Sequence, residues 1–166
     1  DPLSTPAVFD YYSKMQEFRF AQVTKADLRR RLGLRPNANV YVCFQGLFKL
    51  HPSFDVVFLE ILAQDSDAVV VFMHDPQKPQ WSKLLLHRLA DSAKKMAQEN
   101  PGQSAKALAA IQSERLQFTP KLAHDDYMKF VMAADVHLDP SPFGGGLTTA
   151  ELLGVGVPVE TLPGSH

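Results

Sequence analysis

With 166 residues, 45% hydrophobic and 21% charged, the chain can build one α/β-sized core and lacks the composition of a disordered segment. A formal net charge of -1 gives no electrostatic ground for nucleic acid or an anionic membrane as partner. The longest apolar runs, such as 67 to 73, are too short to span a bilayer.

The single cysteine, Cys43, excludes an internal disulfide and fits a reducing compartment, cytoplasmic or nuclear. Residues 1 to 22 mix Pro, aromatic and polar residues without a period and read as an incoming linker or the tail of a preceding domain. Thr24-Lys25-Ala26-Asp27 resembles a capping box opening a short basic helix over 27 to 32, stopped by Gly33. Pro36 and Asn37 make a turn into a first strand at 40 to 45. A helix fits 53 to 64, with Phe54, Val57, Phe58, Ile61 and Leu62 on one face. The unbroken apolar run at 68 to 73 has the pattern of a parallel strand covered on both sides.

Helices at 80 to 98 and 104 to 112 follow, separated by Asn100-Pro101-Gly102, and then a strand at 116 to 119. Another helix fits 124 to 134, with Asp125 and Asp126 in its first turn. A strand at 136 to 139, a helix at 148 to 155 and a strand at 157 to 162 complete the pattern. Such alternation predicts a Rossmann-like, doubly wound parallel α/β sheet over residues 36 to 166, with 1 to 35 as linker or preceding tail. With no initiator Met and an end directly after a strand, the chain is expected to be a piece of a longer protein.

Ligands of doubly wound sheets bind at the carboxyl ends of the strands, which directs attention to four loops. The most informative follows Asp139. Gly144, Gly145 and Gly146 lead through Leu147 into Thr148 and Thr149 at a helix start. Three glycines need either positive φ or a ligand against the backbone. Free amides, two hydroxyls and the positive helix end make an anion site, although a flexible connector with ordinary threonine capping has the same sequence. Glu151, one turn in, is placed to accept from ribose hydroxyls or to complement the helix dipole. Lys49, flanked by apolar residues after the first strand, is either a surface lysine or a cation that neutralises a departing diphosphate.

At the third junction, a His124 or Tyr127 ring could cover a nucleobase and the backbone near Leu122 read its edge; helix capping explains the same residues equally well. Six histidines show no metal-ligand spacing, so no metal is expected; His137 reads as a packed strand residue and Cys43 as an inert buried thiol. Asp139 is either a binding residue or an organiser of the Pro140-Ser141-Pro142 turn. A dinucleotide site would need G-x-G-x-x-G after the first strand, where this chain has Gln45-Gly46-Leu47-Phe48-Lys49.

Taken together, Asp139-Pro140-Ser141-Pro142-Phe143-Gly144-Gly145-Gly146-Leu147-Thr148-Thr149-Ala150-Glu151 and the following Gly154-Val155-Gly156-Val157-Pro158 resemble the donor-site signature of GT-B glycosyltransferases. With Phe44-Gln45-Gly46-Leu47-Phe48-Lys49-Leu50-His51-Pro52 and Thr161-Leu162-Pro163-Gly164, the chain is similar to the O-linked N-acetylglucosamine transferase and Spindly family over about 28 to 164.

The resemblance implies the C-terminal, nucleotide-sugar-binding half of a GT-B fold. It implies inverting transfer of N-acetylglucosamine or fucose to protein Ser/Thr hydroxyls from UDP-N-acetylglucosamine or GDP-fucose, with no further cofactor; the alternatives are another GT-B glycosyltransferase with a glycan or small-molecule acceptor, or a non-catalytic scaffold domain of the same fold. Lys49 would contact the diphosphate, Gly145, Gly146, Leu147, Thr148 and Thr149 would cradle it, Glu151 would hold the ribose, and Leu122, His124 and Tyr127 would border the base. The protein acceptor would be bound by an N-terminal half outside this chain, and the piece alone would not turn over. The chain departs from the transferase pattern at Gly46 (a glutamine there), His124 (a lysine), Gly146-Leu147 (His-Thr) and Glu151 (an aspartate); His124-Asp125-Asp126-Tyr127-Met128 and the glutamate are nearer the Spindly branch.

Overall fold

The computed structural model describes residues 24 to 162. The expected linker at 1 to 22 and the Pro163-Gly164 part of the family motif lie outside the described residues. Among the described residues six helices and five strands follow one another as α1 (Lys25–Arg31), β1 (Asn39–Cys43), α2 (Asp55–Gln64), β2 (Ala68–Met73), α3 (Pro79–Met96), α4 (Pro101–Gln112), β3 (Leu116–Thr119), α5 (His124–Ala133), β4 (Val136–Asp139), α6 (Leu147–Gly154) and β5 (Val159–Thr161). Two single 3-10 turns, Leu47–Lys49 and Pro52–Phe54, carry the chain from β1 into α2.

All strand pairs are parallel, in the order β3-β2-β1-β4-β5, so the fold is a Rossmann-like doubly wound α/β sheet. Successive residues of β2 explain why the run at 68 to 73 has no polar side. Val70 and Phe72 enter one core with Phe58, Leu62, Leu89 and Ala107 from α2, α3 and α4. Val69 and Val71 enter the other, with Met128 and Val131 of α5 and Leu152 of α6. Helices on both faces thus require both faces of the central strands to be apolar. On the first face an aromatic ladder runs Phe54–Phe58–Phe72–Phe118 at centroid spacings of 5.2, 4.9 and 5.6 Å.

Local chemistry sets the element ends. Thr24 accepts from the Asp27 amide and starts α1, and Gly33, at φ 72, turns the chain after it. α1 belongs to the same body as the sheet. Leu28 and Arg29 are buried, and Arg29 donates to Ala133 O at 3.0 Å. α4 starts at Pro101, before the expected 104, because proline suits the first helical turn and the Asn100 side chain accepts from the Gln103 amide. β1 ends at Cys43, which releases Phe44 and Gln45 from the sheet at its carboxyl edge. No helix among the described residues is long and apolar enough to cross a membrane.

Candidate functional site

β1 is the strand at which the sheet reverses its winding, with β2 on one side and β4 on the other. The connections leaving β1 and β4 turn to opposite faces, and a crevice forms between their loops. The structure brings two of the predicted loops together there. Leu47 and Leu50, 7% and 3% exposed, anchor the 3-10 turn that carries Lys49. The Lys49 ammonium donates to Gln45 Oε1 at 3.1 Å and lies 4.8 Å from the centroid of the Phe143 ring in the β4 loop. Lys49 therefore faces the glycine loop rather than bulk solvent.

The glycines owe their identity to close approach. None of the three has positive φ; only Gly33 and Gly156 do among the described glycines. A Cβ on Gly144 would sit 2.5 Å from Asp139 Oδ2. On Gly145 it would collide with Gln45 Nε2 and lie 2.6 Å from Thr149 Oγ1. Gly146 precedes α6 and has nothing within 4 Å of its Cβ position.

Asp139 organises this loop. Its Oδ1 accepts from the Gly145 amide at 2.6 Å and its Oδ2 from the Thr161 hydroxyl at 3.1 Å. The Gly145 N–H, expected to face the diphosphate, is thus committed to Asp139, and Gly145 contributes room instead of a donor. The donors left at the start of α6 are its first-turn amides, at Leu147, Thr148 and Thr149, and no side chain caps them. Leu147 itself is 66% exposed on the rim.

Two buried polar atoms stand out beside these amides. Gln45 is 4% exposed, yet its Nε2 has no hydrogen-bond partner among the described residues, and neither has Thr149 Oγ1. Buried polar groups are nearly always paired, so two in contact with one glycine need a cause. Gln45 was not among the residues singled out from sequence. The available signal was a large polar side chain directly after a buried parallel strand.

The residues expected to hold ribose and base converge on the neighbouring corner. α5 and α6 bring His124 Nδ1 within 4.0 Å of Glu151 Oε1, with the glutamate buried and the histidine exposed. Tyr127 is placed differently. Its ring is 9% exposed and packs on Phe44 at 5.7 Å, so it supports the corner from within the core. Leu122 packs partly buried against the same cluster.

Other reactive side chains are buried or already engaged. Burial pushes the Cys43 thiol up to about 12, which keeps it protonated and inert. His51 caps the turn at Ser53, and His74 pairs with Ser82 at 2.8 Å. Among the described residues no cluster of three His, Cys, Asp or Glu side chains is placed to hold a metal ion.

An apolar groove of about 630 Å³ between Phe48, Lys49, Pro142 and Phe143 opens beside the site. A larger one, about 890 Å³, lies between α2, α3 and α4. Its buried Asp55 is satisfied by Arg88 and Ser92, and none of the unpartnered buried atoms of the described residues lines it.

No protein-family model matches the chain, and no curated protein does. Solved structures do match. A mutant O-GlcNAc transferase of Thermobaculum terrenum is 26% identical with a TM-score of 0.60, over 77% of this chain. The match spans 22% of the length of that transferase. The chain therefore has an O-GlcNAc-transferase-like Rossmann fold, corresponding to about a fifth of an enzyme of that kind.

Proposed function

We propose that this chain is the nucleotide-sugar-binding part of an inverting glycosyltransferase that transfers N-acetylglucosamine or fucose to protein Ser/Thr hydroxyls. The observation that carries the reading is one convergence at the switch point of the sheet. The Lys49 ammonium, the uncapped first turn of α6 and the buried Thr149 hydroxyl meet where a doubly wound fold binds its ligand. The similarity to an O-GlcNAc transferase supports the same class of ligand, and the corner where His124 Nδ1 lies within 4.0 Å of Glu151 Oε1 supplies polar groups for its ribose and base.

In the proposed reaction an acceptor hydroxyl oxygen attacks the anomeric carbon of the sugar. The bond from that carbon to the diphosphate oxygen breaks, its electron pair leaves on the diphosphate, and the configuration inverts. The hydroxyl proton goes to a base outside this chain. Lys49 and the α6 amides stabilise the charge that develops on the leaving diphosphate, an interaction stronger in the transition state than in the bound donor. Glu151 accepts from the ribose hydroxyls, and the Leu122 backbone with His124 borders the base. The donor would be UDP-N-acetylglucosamine or, as in the Spindly branch, GDP-fucose, in a cytoplasmic or nuclear setting.

Titration calorimetry of the chain with UDP, GDP, UDP-N-acetylglucosamine and GDP-fucose tests the proposal. Binding of at least one diphosphate nucleotide, with uridine and guanosine much weaker, is the expected result. Absence of binding by all four would leave a non-catalytic scaffold of the same fold. Sugar transfer at an ordinary enzymatic rate by this chain alone would overturn the assignment of the acceptor to residues outside it.

A further inference from the structure

The unpartnered atoms at Gly145 give Gln45 a role that neither the fold nor the similarity assigns. The Lys49 ammonium has no lone pair and can only donate, so the Gln45 oxygen turns toward it and the NH2 group turns away. That NH2 group faces Gly145, on the side where Thr149 Oγ1 also ends, and both atoms are near enough for one oxygen to accept from them together. An amide buried without a partner destabilises the fold, and a methionine or leucine of similar size would avoid it. The Lys49 hydrogen bond uses only the oxygen and leaves the NH2 group unexplained.

We propose that Gln45 is a positioning and phosphate-binding residue: its oxygen holds the Lys49 ammonium, and its NH2 group and the Thr149 hydroxyl donate together to one non-bridging oxygen of the bound diphosphate. This inference rests on the diphosphate reading of the site. The two donors are sealed from solvent by the glycine loop, so a phosphate oxygen reaches them as residues 144 to 146 move off. Gly146, with open space around its Cβ position, leaves that movement unhindered.

The test compares Gln45→Met, Gln45→Glu and Thr149→Val with the unsubstituted chain, using calorimetry with UDP and GDP and thermal melting without nucleotide. Gln45→Glu keeps an oxygen for Lys49 and loses the donor, whereas Gln45→Met loses both. Each is expected to weaken the better-bound nucleotide roughly ten- to a hundredfold, as for one lost hydrogen bond to a charged group. The melting temperature of Gln45→Met should stay level or rise, because an unsatisfied amide leaves the interior. The double variant Gln45→Met with Thr149→Val should bind less than additively worse, since both donors serve one oxygen.

If Gln45→Met melts lower and binds nucleotide as before, Gln45 is a structural residue and the inference fails while the site reading stands. If the unsubstituted chain binds neither nucleotide, both fail. Should Gln45→Met not fold, the side-chain NH2 resonances of Gln45, assigned by their loss in Gln45→Glu, provide the decision. They should shift on addition of UDP or GDP in the unsubstituted chain, and unshifted resonances at saturation would overturn the proposal.

Discussion

The two edges of the sheet differ in whether they leave buried polar side-chain atoms unpaired among the described residues. At the amino edge, Asp135 accepts from the Val40 amide at 2.9 Å, from Arg29 at 2.5 Å and from Lys25 at 3.2 Å. Arg115 there donates to the carbonyls of Ala68, Leu62 and Asp65, and Asp65 accepts from Asn39 and Tyr41. At the carboxyl edge, Gln45 Nε2 and Thr149 Oγ1 have no partner among the described residues, a helix start has no side-chain cap, and Phe48, Phe143 and Leu147 stand exposed. Satisfied networks of this kind hold strands and helices in register, whereas unsatisfied groups at the ligand-binding edge of a doubly wound sheet are held for something else. The contrast separates residues that maintain the fold from residues that would serve a ligand, and it can be broken at either edge.

The largest effect belongs to the amino edge. Burial raises the Asp135 carboxyl, but the Val40 amide and the Arg29 and Lys25 cations outweigh it and hold the group below its ordinary value. Asp135→Ala leaves the Arg29 guanidinium, 8% exposed, without its counter-charge. Breaking a buried pair costs about 3–5 kcal/mol, and because Asp135 is a third exposed the loss should fall near 3 kcal/mol. Urea unfolding measures it. Nucleotide affinity of the folded variant should be unchanged; a loss of affinity without a loss of stability would erase the distinction between the edges.

At the carboxyl edge the ordering reverses. Lys49→Ala should weaken UDP or GDP by roughly ten- to a hundredfold while lowering unfolding stability by only about 1 kcal/mol, the cost of leaving the buried Gln45 oxygen without its donor. The free nucleoside should be barely affected, and equal losses for nucleoside and diphosphate would remove Lys49 from the phosphate. Gly145→Ala is expected to be intermediate. Its methyl would press on Gln45 and Thr149, at an overpacking cost of about 1–3 kcal/mol, and would fill the place a phosphate oxygen needs. Calorimetry beside thermal melting separates the two consequences, and full nucleotide affinity in a destabilised Gly145→Ala would mean the loop holds no ligand.

The order of strands and helices was legible because apolar periodicity records which faces are covered, as in the run at 68 to 73. The convergence of the Lys49 loop with the glycine loop followed from the same alternation, since a doubly wound sheet has one switch point. What the sequence did not reveal were contacts between distant residues. Gln45 matters through Gly145, a hundred positions away, and a lone glutamine at a strand end carries no period or spacing. The glycines pointed to positive φ or a nearby ligand, and the structure answers with their own neighbours, Asp139, Gln45 and Thr149. Tyr127 shows the complementary limit. Its place one turn into α5 suited a base platform, yet Phe44, freed from the sheet by the early end of β1, gave its ring an inward partner.

The smallest expected effect tests a third unpartnered atom, His137 Nε2, which lies within the sheet between the two edges. The side chain is 0% exposed and pairs through Nδ1 with Val42 O at 3.1 Å. A carbonyl only accepts, so the ring proton sits on Nδ1 and Nε2 is bare in the neutral form. Burial pulls the imidazole below its ordinary value, and the nearby Asp139 carboxylate and the Val42 carbonyl offset this only in part. The unfolded chain therefore takes up a proton more readily than the folded one. Stability from this group is complete above about pH 6.5 and declines as the pH falls below that value. His137→Asn keeps an N–H for Val42 and cannot titrate, so its urea midpoint should fall less than that of the unsubstituted chain between about pH 7 and 5. Parallel profiles would mean that His137 takes up its proton alike in the folded and unfolded chain, and that Nε2, unlike the Gln45 amide, is a packing detail.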